Sequence, residues 1–369
     1  MGGRMPRVYL DYAATTPLRP QARTAMLEAL DVFGNPSSVH QHGQAARYLL
    51  DDARRRVADA LSVRAERVVF CSGGTEANNL ALRGVMAKAP GQVLLVSSIE
   101  HDCVRQTALA LQASGVAVEE IPAGADGVAS LEWLQRRLQQ GKVALVSLMH
   151  ANNETGVLQP VAEAAALARQ HGALLHTDAV QTVGHLPVAP DDLGTDLLTF
   201  TAHKFGGPKG TGALVLKSEV AMLATQTGGA QERNRRGGTE NLAGAVGLAA
   251  ALGAALGNLE HETRIALELA SYLENNLPQG VQMVAPKSAK VPHVRQLHTP
   301  GRKGEDMVMQ LDVAGVAVSQ GSACSSGRVV ASHVLQAMGF DETSAGEGLR
   351  LSWGWNSQLP DVKAALAAL

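Results

Sequence analysis

Cysteine is scarce in this sequence: 369 residues contain three, at positions 71, 103 and 324. So few, and an odd number, build no disulfide framework and suit a reducing compartment, which places the expected location in the cytoplasm. With no CxxC or HExxH among them, no metal site is expected. Aromatic residues make up 3% of the chain. No base-stacking surface therefore accompanies the arginine-rich run 233–236, and direct nucleic-acid binding is not expected. Neither sign of charge dominates, since 32 basic and 34 acidic residues leave a net charge of −2. General attraction to nucleic acid or an anionic membrane is thereby excluded. Long apolar runs are also missing, apart from the uncharged stretch 241–259, NLAGAVGLAAALGAALGNL. Its Ala and Gly content predicts a buried helix packed closely on a sheet rather than a membrane span, and no secretory h-region precedes Asp11.

The chain does have length and apolar content, 46% hydrophobic, enough for two or three domains with real cores. Its middle alternates short β-rich runs with amphipathic ones. RVVFCS, QVLLVSS, KVALVSLMH, ALLHTDAVQ, DLLTFTAHK and GTGALVLK follow one another between helical segments. That pattern predicts an α/β fold: a mostly parallel, doubly wound sheet in a large domain over residues 20–255. Residues 256–369, completed by 1–19, are expected to form a smaller α+β domain.

Open α/β sheets bind ligands beyond the carboxyl ends of their strands. At those ends this sequence places SGGTEANN with Gly74 and Thr75, then His101, Asn153, Asp178 with Gln181, and Lys204. Singly, each has an ordinary reading as a turn residue, a helix cap, a core histidine or a solvated lysine. Together they offer an anion cradle at a helix N-terminus, an imidazole, an amide, a carboxylate and an amine on one rim. Pyridoxal phosphate needs that set: an amine for the Schiff base, a carboxylate facing the pyridinium nitrogen, and donors for the phosphate. Nucleotide readings fare less well, because no GxGxxG follows a strand and GGPKGTG lacks Walker spacing. Lys209 is a rival amine, but it lies five residues past the strand end.

The strings LDYAATTP, GNPSSVHQHG, SGGTEANN, EHD, MHANNETGV, HTDAVQ, TAHKFGGPKGTGAL, GGAQERNRRGGTEN and GSACSSG occur in that order along the chain. In this the sequence resembles NifS/IscS-like cysteine desulfurases of the aminotransferase class V group, over almost its whole length. The resemblance implies the pyridoxal-phosphate fold type I and the roles that follow. Lys204 is the Schiff-base lysine, Asp178 the partner of the ring nitrogen, and Gln181 a donor to the ring hydroxyl. His101 stacks on the ring and serves in acid/base steps. Gly74, Thr75, Thr201 and His203 contact the phosphate, with Thr239 reaching it from the other subunit of a homodimer. Asn153 and Arg350, and more weakly Asn35, hold the carboxylate of L-cysteine.

Cys324, in the Gly/Ser-rich loop SQGSACSSGR, is implied as the nucleophile that carries sulfur as a persulfide to an acceptor protein. That acceptor serves iron–sulfur cluster assembly or transfer-RNA or other thiolation. Cys71 and Cys103, at the edges of apolar runs, are expected to be buried fillers. Two departures stand out: SWGW (352–355) where the family commonly has SLGR, and a C-terminus at Leu369 without the longer tail of many scaffold-binding members. Selenocysteine lyase or another class V activity is the enzymatic alternative, and a sulfur carrier or scaffold retaining the fold is the non-enzymatic one.

Overall fold

The computed structural model describes residues 7–321 and 331–369. Its strands in chain order are β1 (Val8–Tyr9), β2 (Val68–Cys71), β3 (Val93–Ser97), β4 (Ala117–Ile121), β5 (Val143–Ser147) and β6 (Leu174–Asp178). They continue with β7 (Leu197–Thr201), β8 (Gly212–Leu216), β9 (Gln282–Met283), β10 (Val294–His298), β11 (Val316–Ala317) and β12 (Gly348–Ser352). Seven form the central sheet, in the order β2-β8-β7-β6-β5-β3-β4. β3 to β7 run parallel to one another, and β8 runs against both its neighbours. Strands β2, β3, β5, β7 and β8 are buried along their whole length, as near-continuous apolar runs covered on both faces must be. The edge strand β4 reads AVEEI and is half exposed, with Glu119 and Glu120 blunting an otherwise unpaired rim.

Helices cover both faces for reasons legible in their spacing. The helix Gln41–Ala60 buries Ala46, Leu50, Ala53 and Val57, an i, i+4, i+7, i+11 stripe. The stretch 241–259 is a helix, Leu242–Gly257, capped by the Asn241 side chain and bent by 69° from the following helix Leu259–Asn275. It packs beneath the sheet as its composition predicts, but it also meets two helices, Pro20–Leu30 and Gln41–Ala60. A Cβ on Gly247 would lie 2.5 Å from Met26 Cγ, so the small face is what lets the helices close. Among the described residues no single helix is long and apolar enough to cross a membrane.

The C-terminal part has its own core. Strands β12, β10 and β9 form an antiparallel sheet, and β1 pairs with β11. Leu10 from the N-terminal segment joins Leu269, Leu273, Leu297, Leu351 and Trp353 in one buried cluster. The SWGW departure resolves here. Trp353 is fully buried and donates Nε1–H to Ala266 O at 3.1 Å. Trp355 donates to Pro17 O at 3.2 Å and lies under the Arg19 guanidinium. Both tryptophans tie the C-terminal sheet to its surroundings; neither lines the site described next.

Candidate functional site

A cavity of about 270 Å³ opens at the carboxyl ends of the central strands. Gly74, Thr75, His101, Asn153, Asp178, Gln181, Thr201, His203, Lys204 and Arg350 all line it, so ten residues chosen from sequence converge on one space. Two do not. Asn35 is exposed and accepts the Ser37 N–H at 2.9 Å within its own turn. Thr239 is exposed and is not among the lining residues. Cys324 lies outside the described residues.

One end of the cavity is suited to an anion by its local structure. The helix Gly74–Met86 starts directly after β2, and no side chain caps its first N–H groups. Such a terminus is a ready anion site. A Cβ on Gly74 would lie 3.1 Å from Val180 Cγ2, so the missing side chain keeps this end open. Thr201 ends β7 at the same rim, and His203 touches Thr15 Oγ1 at 3.3 Å. Burial and the charge of Lys204 pull the His203 pKa down to about 4, so at neutral pH it is an uncharged ring.

Asp178 terminates β6 and is 4% exposed. Its Oδ1 accepts Val180 N–H at 2.9 Å and its Oδ2 accepts Asn78 Nδ2–H at 2.7 Å, which fixes the plane of the carboxylate. Lys204 closes the short 3-10 turn after β7, and its Nζ donates to Ala13 O at 2.5 Å and Ala14 O at 3.0 Å. Burial first, then the positive charge of Arg350, lowers its pKa to about 8. A lysine in that range has a neutral amine fraction near pH 7 that an exposed lysine lacks. Gln181, buried, donates Nε2–H to Ala13 O at 3.0 Å.

Arg350 reaches the cavity from β12 and is 2% exposed. Its Nη1 donates to Asn153 O at 2.9 Å and Gly321 O at 3.2 Å, and its Nη2 to Asp11 Oδ1 at 2.8 Å. Of the five guanidinium N–H groups these bonds leave Nε–H and one on Nη2, and Nε is buried without a partner among the described residues. An unused Nε–Nη2 edge of a guanidinium can take a planar anion through two parallel bonds. Asn153 lines the same cavity, and its Oδ1 is buried with no partner among the described residues. Its neighbour Asn152 is structural, accepting from Glu154 N and Thr155 N at 2.9 Å.

The family model for aminotransferase class-V matches residues 8–364. The chain belongs to the aminotransferase class-V family. Among curated class-V relatives, a protein of Dictyoglomus turgidum named cysteine desulfurase IscS is 38% identical, over 98% of this chain and 93% of its own length. One of Cereibacter sphaeroides named cysteine desulfurase is 42% identical, over 94% and 91%. A solved NifS-like protein superposes with a TM-score of 0.92 at 32% identity, covering 98% of this chain and 97% of its own. The NifS-like protein of Rickettsia africae gives 0.90 at 30%, covering 98% of each.

Class-V enzymes of this kind use pyridoxal phosphate, and it is the cofactor of this chain. The donor set fits it: an uncapped helix N-terminus for the ester phosphate, a rigidly held carboxylate, and an amine of lowered pKa. Asn78, Asn153 and Arg350, which line the same cavity, each carry a buried polar atom with no partner among the described residues: Asn78 Oδ1, Asn153 Oδ1 and Arg350 Nε.

One expectation needs correcting. Cys71 is buried filler, but Cys103 is not: it lines the cavity. The helix Asp102–Ala113 is capped by His101, so residue 103 sits in its first turn, beside the ring that caps it. Cys103 Sγ lies 3.0 Å from His101 Nδ1 and 3.0 Å from Asn78 Nδ2. Burial, reinforced by the Asp178 charge, pushes the thiol up to about 12, so it stays protonated and a poor nucleophile. Cys103 N–H donates to His101 Nδ1 at 3.1 Å, which leaves the ring proton on Nε2. Burial also lowers the His101 pKa, keeping the ring neutral. Asn78 and the Ala13 and Ala14 carbonyls were likewise missed. Asn78 stood within SGGTEANN, one helical turn past Gly74, where a cavity-facing residue recurs.

Proposed function

We propose that this chain is a cysteine desulfurase that converts L-cysteine to L-alanine and passes the sulfur to Cys324 as a persulfide. The observation that carries the reading is the single cavity holding Lys204, Asp178 and the free edge of Arg350 together. Its relatives' names support it across the length of the chain.

Bound pyridoxal phosphate supplies an electron sink for the charge that develops at the substrate Cα. Asp178, fixed by Asn78 and Val180, holds the proton on the ring nitrogen. The Nε and Nη2 edge of Arg350, with the Asn153 amide, grips the substrate carboxylate. Lys204 Nζ, neutral in part near pH 7, takes the α-proton. His101, with its proton on Nε2, lines the same cavity and serves as a proton donor. At sulfur, the bond from Cys324 forms as the substrate Cβ–S bond breaks. The electron pair stays with carbon and protonation gives alanine. Cys103 is the weaker candidate for the carrier, since its thiol is already engaged by His101 Nδ1 and Asn78 Nδ2 at 3.0 Å and burial favours its protonated form.

Residues 20–255 serve as the cofactor-binding body, and 1–19 with 256–369 as the smaller unit supplying Arg350 and Cys324. The functional form is a homodimer in the cytoplasm, in which Thr239 completes a neighbour's phosphate site. The exposed apolar side chains of Leu30, Phe33, Val39 and Tyr48, all within one stretch of chain, support burial against a second copy. The persulfide then passes to an acceptor protein.

The test is a single variant. Cys324→Ala is expected to keep the yellow cofactor band and lose sulfide release in the presence of thiol. Full sulfide release by that variant would refute the reading.

A further inference from the structure

The backbone that carries Lys204 is gripped from outside the central sheet. Three successive carbonyls each accept a bond from a distant residue. Thr16 donates N–H and Oγ1–H to His203 O, both at 2.9 Å. Arg19 Nε donates to Phe205 O at 2.8 Å. Between them, His185 Nε2 lies 2.9 Å from Lys204 O, and since a carbonyl only accepts, that nitrogen carries the ring proton.

The segment holding His185 is built to press on this turn. Gly184 has φ +83°, and a Cβ there would lie 2.5 Å from Phe205 Cβ. Only glycine fits both the conformation and the approach. The His185 ring stacks on His293, centroids 3.9 Å apart and planes 20° from parallel. His293 is 2% exposed and neither ring nitrogen has a partner among the described residues. A neutral imidazole left so carries an unmet donor and an unmet acceptor, which is unfavourable in a buried site. Hydrogen bonding therefore does not explain its place; its flat face against His185 does. Its own position is tied to the C-terminal core, because Trp353 N–H donates to His293 O at 3.1 Å.

We infer that His185 is a positioning residue for the reactive lysine: its Nε2–H holds the Lys204 carbonyl, and His293 is the wall that orients its ring. Without that donor the half-buried Lys204 carbonyl loses its one protein partner among the described residues, so the turn shifts to find another. The side chain then aims its amine from a different root. Burial holds the His185 pKa down at about 4, so the ring donates as a neutral group throughout the working range. The inference rests on the role given to Lys204 above, and its test keeps the two separable.

His185→Gln places an amide N–H where Nε2–H stood; His185→Phe keeps the stacked ring and loses the donor. Two quantities are measured: kcat and KM for L-cysteine in the holoenzyme, and the pH midpoint of reductive methylation of Lys204 in apo-protein, read on its peptide by mass spectrometry. The Phe variant is expected to lose roughly ten- to a hundredfold in kcat. Its KM should change less than about twofold, because the carboxylate is held by Arg350 and Asn153, and its Lys204 midpoint should move. The Gln variant and His293→Phe, which keeps the wall, are expected to match the parent in both. A Phe variant that matches the parent overturns the inference, as does a Gln variant that loses both properties. If the parent itself does not consume L-cysteine, the desulfurase reading fails while the methylation midpoint still decides the role of His185.

Discussion

Lys204→Ala is expected to abolish L-cysteine turnover and the visible band of the bound cofactor together. The loss should be on the order of a thousandfold or more, the scale of removing a group that moves the proton in the reaction. The physical case is the setting of the amine: Lys204 is half-buried, and among the described residues two backbone carbonyls, Ala13 O and Ala14 O, receive its protons. Burial and Arg350 hold its pKa at about 8. The depressed value makes the neutral amine accessible near pH 7 and increasingly populated as pH rises through 8. Removing it should leave the fold intact, because a buried cation is lost and Gln181 still donates to Ala13 O. Absorbance of the purified variant and an alanine assay test this; a variant with the normal band and turnover contradicts it.

Arg350→Met should raise KM for L-cysteine by roughly a hundredfold, since truncating a buried charged partner typically costs about 2–5 kcal/mol. It should also lower stability, because Asp11 loses the guanidinium at 2.8 Å and the carbonyls of Asn153 and Gly321 lose donors. The two effects can be separated. Adding Asp11→Asn removes the stranded carboxylate, so the double variant should regain part of the lost melting temperature and none of the lost affinity. Recovery of KM in the double variant would mean that Arg350 does not hold the substrate.

Much of this site could be read before the fold was seen, and the reason is topological. A parallel sheet delivers the residue after each apolar run to one rim, so His101, Asn153, Asp178 and Lys204 had to be neighbours if the runs were strands. Arg350 came only with the family resemblance, because nothing in GLRLSWG by itself aims an arginine across to another sheet. Cys103 was misjudged because an apolar edge in sequence does not say which way the first turn of a helix faces; that depends on where His101 caps it. His185 and His293 are 108 positions apart in sequence and meet only through tertiary packing, so no local pattern could pair them. The two tryptophans of SWGW looked like a disturbance near Arg350 and are core and anchor residues instead.

The most direct test of the account is the mass of the cysteine peptides after the enzyme meets L-cysteine without a thiol acceptor. One added sulfur on the peptide containing Cys324, with one L-alanine formed for each sulfur retained, is the predicted result. Added sulfur on Cys103, or loss of L-cysteine with keto acid in place of alanine, would contradict it.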